Sequence, residues 1–229
     1  MILALAAVAR NISIAAADKN DWGDDMNKII EIPFPIPFYT QRVTEASWEK
    51  DGFSDFEEGL NWEMRGCGIA SLRMILDAFL QQEGKPACEG QGEMIHKGLL
   101  QEAYKPGVGW IHQGLAKMAA EYGLLGIAHR EKNAQDIAME ILEGRPCIIS
   151  ISPRFAGGKL DENGNPYGKG GHLVVAYGCE VDGEGKPLAF LVHHPSCFLE
   201  YNWPAHWASL AEVEASFSGN YIVFEKAEK

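Results

Sequence analysis

The sequence predicts an α+β fold, and three observations carry that reading. Helical periodicity dominates the chain from Gly68 to Leu142. Short apolar runs bounded by turn residues replace it from Pro146 onward. Two of those runs flank Asp182-Gly183-Glu184-Gly185, which reads as the turn of an antiparallel hairpin. A helical half followed by an antiparallel β half is the α+β pattern, not the alternating pattern of a parallel sheet.

The elements follow in order. Residues 1–30 read as an N-terminal extension and residues 31–229 as one domain. The apolar stretch at 1–17 ends in Ala15-Ala16-Ala17 and loosely suggests a signal segment. It lacks a positively charged start, and Arg10-Asn11 interrupts it. Residues 31–39 interleave three prolines with isoleucine and phenylalanine, so they should be extended and packed. Residues 44–59 are acidic and aromatic and read as a surface loop. Ile69, Leu72, Ile75, Leu76 and Phe79 share one helical face, which predicts a helix over 68–81. Further helices are predicted over 91–103, over 110–122 (ended by Gly123) and over 133–142, where Asn133 is the cap and Gly144 the stop. Strands are predicted over 146–151, 172–179 and 188–194, with a glycine-rich loop at 155–169. A short helix over 210–217 and a strand over 221–225 close the chain.

Composition narrows the function. The chain has 229 residues, 46% hydrophobic and 23% charged, enough for a sizeable core. Its formal net charge is −12, with no lysine or arginine cluster. That argues against nucleic acid or an anionic membrane as the main partner. No apolar run is long enough to insert into a membrane.

The chemistry centres on Gly66-Cys67-Gly68. Cys67 opens a helix, where free amides and the helix dipole favour a thiolate, the nucleophilic form. The flanking glycines would let a substrate backbone approach the sulfur. The competing reading is a buried small hydrophobe. The other cysteines are Cys88, Cys147, Cys179 and Cys197, with no CxxC pair. An odd count allows one reactive thiol with two disulfides, or five reduced thiols.

Three further elements join Cys67. Gln41 can donate its amide to a developing oxyanion. His172, after Gly170-Gly171, opens a strand and can serve as base. His194, in His193-His194-Pro195, lies at the end of the next strand, within reach of His172.

On the residues Ile36-Pro37-Phe38-Tyr39-Thr40-Gln41, Gly66-Cys67-Gly68-Ile69-Ala70-Ser71-Leu72 and Gly171-His172-Leu173-Val174-Val175, the chain resembles the C39-like branch of the papain-like cysteine peptidases. The likeness runs from about residue 33 to 225 and includes the tail over 207–224. It implies a papain-like fold, with a helical half, an antiparallel half and the cleft between them. It implies Cys67 as nucleophile, His172 as base, and Gln41 with the Cys67 amide as oxyanion donors. It implies a peptide or protein substrate and no cofactor. The departure is His194, where the family has aspartate before the proline. Either His194 is neutral and accepts a hydrogen bond from His172, or activity is altered and the domain binds peptide without cutting it. An acyl or peptidyl transferase on the same fold is a further alternative.

A metal site is not expected. His172, His193, His194, Cys197 and His206 are dense, but neighbouring strand residues point to opposite faces. The aromatic residues Trp48, Phe53, Phe56, Trp62, Trp110, Trp203 and Trp207 are cleft or core candidates. If the acidic run at 45–58 bordered the cleft, it would favour basic or neutral peptides.

Overall fold

The computed structural model describes residues 27–227. The 1–17 stretch, and most of the 1–30 extension, lie outside them.

The first strand, β1 (Lys28–Glu31), leads into the proline-rich segment, which is extended as expected and buries Ile32 and Ile36. Helix α1 (Phe56–Glu63) follows where the sequence suggested only loop. Its start is capped by Asp55, whose side chain accepts from the Glu58 amide at 2.8 Å, while Glu58 accepts from both the amide and the hydroxyl of Ser54. The signature Ser54-Asp55-x-x-Glu58 was therefore present in the sequence.

Helix α2 (Cys67–Gln82) is buried on nearly every side. After it come α3 (Gln91–Leu100), the two-residue strands β2 (Tyr104–Lys105) and β3 (Gly109–Trp110), and α4 (His112–Ala120). The helix expected over 110–122 thus begins two residues later. Then come β4 (Leu124–His129) and α5 (Ala134–Leu142), the latter capped by Asn133 as predicted. The chain continues through β5 (Cys147–Ile151), β6 (His172–Val181), β7 (Pro187–Pro195), β8 (Asn202–Ser209), α6 (Leu210–Ser216) and β9 (Phe217–Lys226).

The larger strands form one antiparallel seven-stranded sheet in the order β4-β9-β5-β6-β7-β8, with β1 added on β6. The first half of β6 pairs with β5, from Ile151↔His172 to Cys147↔Ala176, and its second half takes β1 on that same edge. The α+β class is as predicted. The β6–β7 hairpin also matches, turning at Asp182, whose carboxylate accepts from the Glu184 and Lys186 amides.

The helices do not all lie in one half. Helices α2, α3 and α4 cover one face of the sheet, where Leu72, Ile75 and Leu76 meet Leu173, Val175 and Tyr177. Helix α5 covers the other, where Ile137 and Ile141 meet Ile149, Val174 and Ala176. The alternation along β6 requires this, since both of its faces are apolar and both must be buried.

Of the nine strands among the described residues, β1, β2, β3, β4 and β8 escaped the sequence pattern, and β4 and β8 are the long ones at the two sheet edges. β4 is an edge strand with mixed exposure, and Ile127 is 40% exposed. β8 is the opposite edge, where Pro204 and a left-handed Ala205 (φ 51°) are tolerated because one side has no strand to bond. Neither buries enough apolar surface to alternate.

Candidate active site

Cys67 is the first residue of α2, behind Gly66, and no side chain caps this helix end. The free amides of Cys67 and Gly68 and the backbone N–H of Leu173 act on the sulfur and favour its thiolate. Burial opposes them and wins: Cys67 is 9% exposed and its thiol is pushed up to about 11. The expected ready-made thiolate is therefore not held in this state, because the desolvation cost of the charge exceeds what three amides return.

The flanking glycines serve packing instead of substrate access. A Cβ on Gly68 would sit 2.5 Å from Trp110 Cγ, and one on Gly66 would sit 2.9 Å from Gln91 Nε2 and 3.2 Å from Gln41 Cβ. Both spaces are already filled. Gly171 differs. Its φ of +95° needs glycine, nothing lies near its missing Cβ, and it leaves His172 open to the cleft.

His172 begins β6. Ser71 Oγ, on α2, donates to the carbonyl of Leu173 at 3.2 Å, so α2 is tied to β6 at the residue after the histidine. Leu173 lies on the α2 face of the sheet. The His172 ring turns toward the other side and rests on His194, with ring centroids 4.6 Å apart and planes tilted by 35°. Its Nε2 is buried and meets no hydrogen-bond partner. Burial, and next the proximity of His194, hold its pKa well below the usual imidazole value. No hydrogen bond joins His172 to Cys67 in this state; strand alternation directs the ring away from the α2 face.

His194 does not accept a hydrogen bond from His172. Both of its own ring nitrogens are buried without partners. It is packed among Phe155, at 6.0 Å between centroids, and Trp203, at 5.3 Å, and burial lowers its pKa to about 4. The expected hydrogen bond is replaced by ring stacking, because β7 brings the two imidazoles side by side. His193 points to the other face, as alternation demands. Its ring bonds the Ile36 carbonyl at 3.0 Å and its Nδ1 accepts from the Ala205 amide at 3.0 Å. It stitches the proline-rich segment to β7 and β8. Among the described residues no group of three or more His, Cys, Asp or Glu is placed to hold a metal ion.

Gln41 is buried and packs beside Gly66. Its Nε2 donates to the Glu63 carbonyl at 2.7 Å, and its Oε1 has no partner. It stands next to the thiol of Cys197, whose ionised form it favours. All five cysteines are free.

Cys67 and His172 line one cleft of about 300 Å³, together with Leu173, Gly171 and the Trp110–Tyr104 aromatic pair, whose ring centroids are 5.2 Å apart. Gln41 and His194 are not among its lining residues. The cleft also takes in His112 and Arg130, which the sequence did not single out. Neither belongs to a motif, and only the return of β4 beside α4 brings them together. The acidic run at 45–58 is elsewhere. Asp51 faces Arg73 at 3.9 Å and Glu58 meets His96 at 2.6 Å, so these carboxylates serve the helices and not the cleft.

Among solved structures, the chain is similar to a protein described as a C39-like peptidase from Bacillus anthracis, at 17% identity and a TM-score of 0.52, covering 87% of this chain and 99% of that one. It is similar to UfSP from C. elegans, at 13% identity and a TM-score of 0.50, covering 88% of this chain and 34% of that one. A double glycine motif protease from an AMS/PCAT transporter, solved with the leader peptide, matches at 18% identity and a TM-score of 0.45, over 84% of this chain and 93% of that one. No protein-family model matches the sequence, and no curated protein matches it. The chain has the papain-like fold of the C39-like peptidases.

Proposed function

We propose that the protein is a cysteine peptidase or amide hydrolase whose nucleophile is Cys67 and whose base is His172. The observation that carries this reading is the shared cleft: the two residues open α2 and β6, and both face the same solvent-accessible space. Residues 31–229 are taken as the catalytic domain.

In the resting state Cys67 is a thiol and His172 a neutral imidazole. A free enzyme need not hold its catalytic hydrogen bond ready, since such bonds tighten in the substrate complex. When a peptide fills the cleft, the thiol proton passes to His172 as the sulfur attacks the scissile carbonyl. The oxyanion that forms meets the Cys67 amide, with the side-chain amide of Gln41, packed beside Gly66, turning from its present partners to act as the second donor. The C–N bond breaks as His172 returns the proton to the leaving amine, giving a thioester on Cys67. Water, deprotonated by His172, then attacks the thioester, and the acid and the thiol leave. His194 supports His172 as a ring platform. No cofactor enters these steps.

The test is capture of the acyl-enzyme. A peptide substrate that gives a mass increment on Cys67 after acid quench, lost in Cys67→Ala along with hydrolysis, supports the assignment. Hydrolysis that survives Cys67→Ala refutes it.

A second reading, a peptide-binding module without turnover, is favoured by the partnerless Nε2 of His172 and by the protonated thiol. It predicts peptide binding by both proteins and no acyl-enzyme. A transferase on the same site would form the acyl-enzyme but pass it to amines in preference to water.

A further inference from the structure

The cleft carries a charge pattern opposite to that of the chain. Aspartate and glutamate outnumber lysine and arginine by 32 to 20 in the sequence. Yet among the described residues no aspartate or glutamate lines the cleft, while Arg65 and Arg130 do. Arg65 is already engaged, since its guanidinium donates to the Asn61 carbonyl and lies 4.4 Å over the Trp62 ring. Arg130 is not. It is exposed on the loop after β4 and makes no ion pair or side-chain hydrogen bond among the described residues. Its neighbour Lys132 is paired with Asp136 at 3.1 Å, and Glu131 is not part of the cleft wall.

Beside Arg130 stands His112, the first residue of α4. Its Nε2 is buried without a partner, and the positive charge of Arg130 adds to burial in keeping its ring neutral. The start of α4 has no side-chain cap and no acidic residue in its first turn. Cation, unpartnered imidazole nitrogen and uncapped helix amides thus line the cleft together, and nothing among the described residues neutralises them.

We propose that this end of the cleft is a carboxylate-binding subsite, in which Arg130 and the first turn of α4 receive a carboxylate of the bound peptide. The subsite sets substrate class: peptides with an acidic side chain, or a free C-terminus, a short distance from the bond held at Cys67. The inference rests on the peptidase reading for what happens next, and on geometry alone for the binding.

The test separates the two. Cys67→Ala protein is titrated with fluorescein-labelled, C-terminally amidated alanine–glycine heptapeptides carrying one glutamate at successive positions, each with its glutamine counterpart. A parallel pair without glutamate compares a free with an amidated C-terminus. The expected result is a preference of about tenfold for the charged member at one position or at the C-terminus, which also identifies the carboxylate's source. Arg130→Gln should abolish the preference and Arg130→Glu should turn it toward the uncharged member of each pair, while Lys159→Gln, outside the cleft, should leave it in place. Equal affinities in every pair, no binding at all, or a preference that survives Arg130→Gln overturns the subsite. Internally quenched versions given to wild-type protein report on the other reading. Cleavage without charge preference refutes the subsite and leaves the peptidase. Charge-selective binding by Cys67→Ala without cleavage by wild type refutes the peptidase and leaves the subsite.

Discussion

The imidazole of His172 is stacked on that of His194, at 4.6 Å between centroids, and no hydrogen bond connects them. A cysteine peptidase base is ordinarily oriented by an acceptor at its second nitrogen. Here that nitrogen is buried and the neighbouring ring supplies contact without acceptance. His172 is held by packing, which fixes the plane of a ring but not its tautomer.

Supplying the acceptor should therefore help. His194→Asn places a carbonyl oxygen within reach of His172 Nε2, and one added hydrogen bond is worth about 1 kcal/mol. Hydrolysis is expected to rise several-fold, with its pH profile moving as the imidazolium is stabilised. His194→Phe keeps the stacking and should fold without that gain. A His194→Asn protein no faster than His194→Phe would show that His172 takes no direction from this position.

The state of the Cys67 thiol is open to direct measurement. Burial pushes it up to about 11, above the ordinary thiol value of about 8.5. Iodoacetamide modification, followed by peptide mass mapping to separate the five cysteines, should be slower at Cys67 than at a free thiol at pH 6 and should still climb above pH 9. A rate that is already on a plateau at pH 6 would mean that a thiolate–imidazolium pair exists before substrate arrives.

Acid should destabilise the fold through its buried histidines. The pKa values of His172, His193 and His194 are all lowered on folding, chiefly by burial. For a base lowered on folding, the unfolded chain takes up protons first. Stability is therefore complete above the unfolded value near 6.5 and is lost as pH falls toward the folded value. For His194, between 6.5 and about 4, the loss reaches roughly 3 kcal/mol at pH 4. Urea midpoints should fall steadily from pH 7 to pH 4, and less steeply in His194→Phe. An unchanged slope in that variant would contradict the assignment.

Gly68→Ala tests why glycine follows Cys67. The new Cβ would collide with the Trp110 ring, 2.5 Å from Cγ. Overpacking of this kind costs about 1–3 kcal/mol. A lowered melting temperature with a shifted tryptophan emission is expected. A variant as stable as wild type, with unchanged emission, would mean that the space beside Cys67 is available to substrate after all.

The sequence made the frame legible where apolar spacing is strong or a cap is present. α2, α5 with its Asn133 cap, and the β6–β7 hairpin all stand where their residues place them. α1 was legible in Ser54-Asp55-x-x-Glu58 but was masked by the acidic composition around it. β4 and β8 were not, because an edge strand can leave its outer groups to solvent and needs no regular alternation. For the site, the residues that open α2 and β6 could be named from their glycine neighbours. The reason for those neighbours could not: only the fold shows that Trp110 fills the space at Gly68 while Gly171 stands open. Arg130 and His112 had no local signature, since their meaning comes from β4 returning beside α4.

The main chain of Leu173 serves the first turns of α2 twice: its N–H acts on the Cys67 sulfur and its carbonyl accepts from Ser71. Cys67 is thus gauged against main chain, and His172 sits one residue back along the same strand. No hydrogen bond ties the imidazole to the sulfur, and its stacking on His194 sets the plane of the ring. A slip of β6 by a single step would be far more damaging than any rotation of that ring. It would present an aliphatic side chain to the cleft and bury the imidazole beneath the helix. The fidelity of the β5–β6 ladder is, in that sense, the alignment mechanism of the whole site.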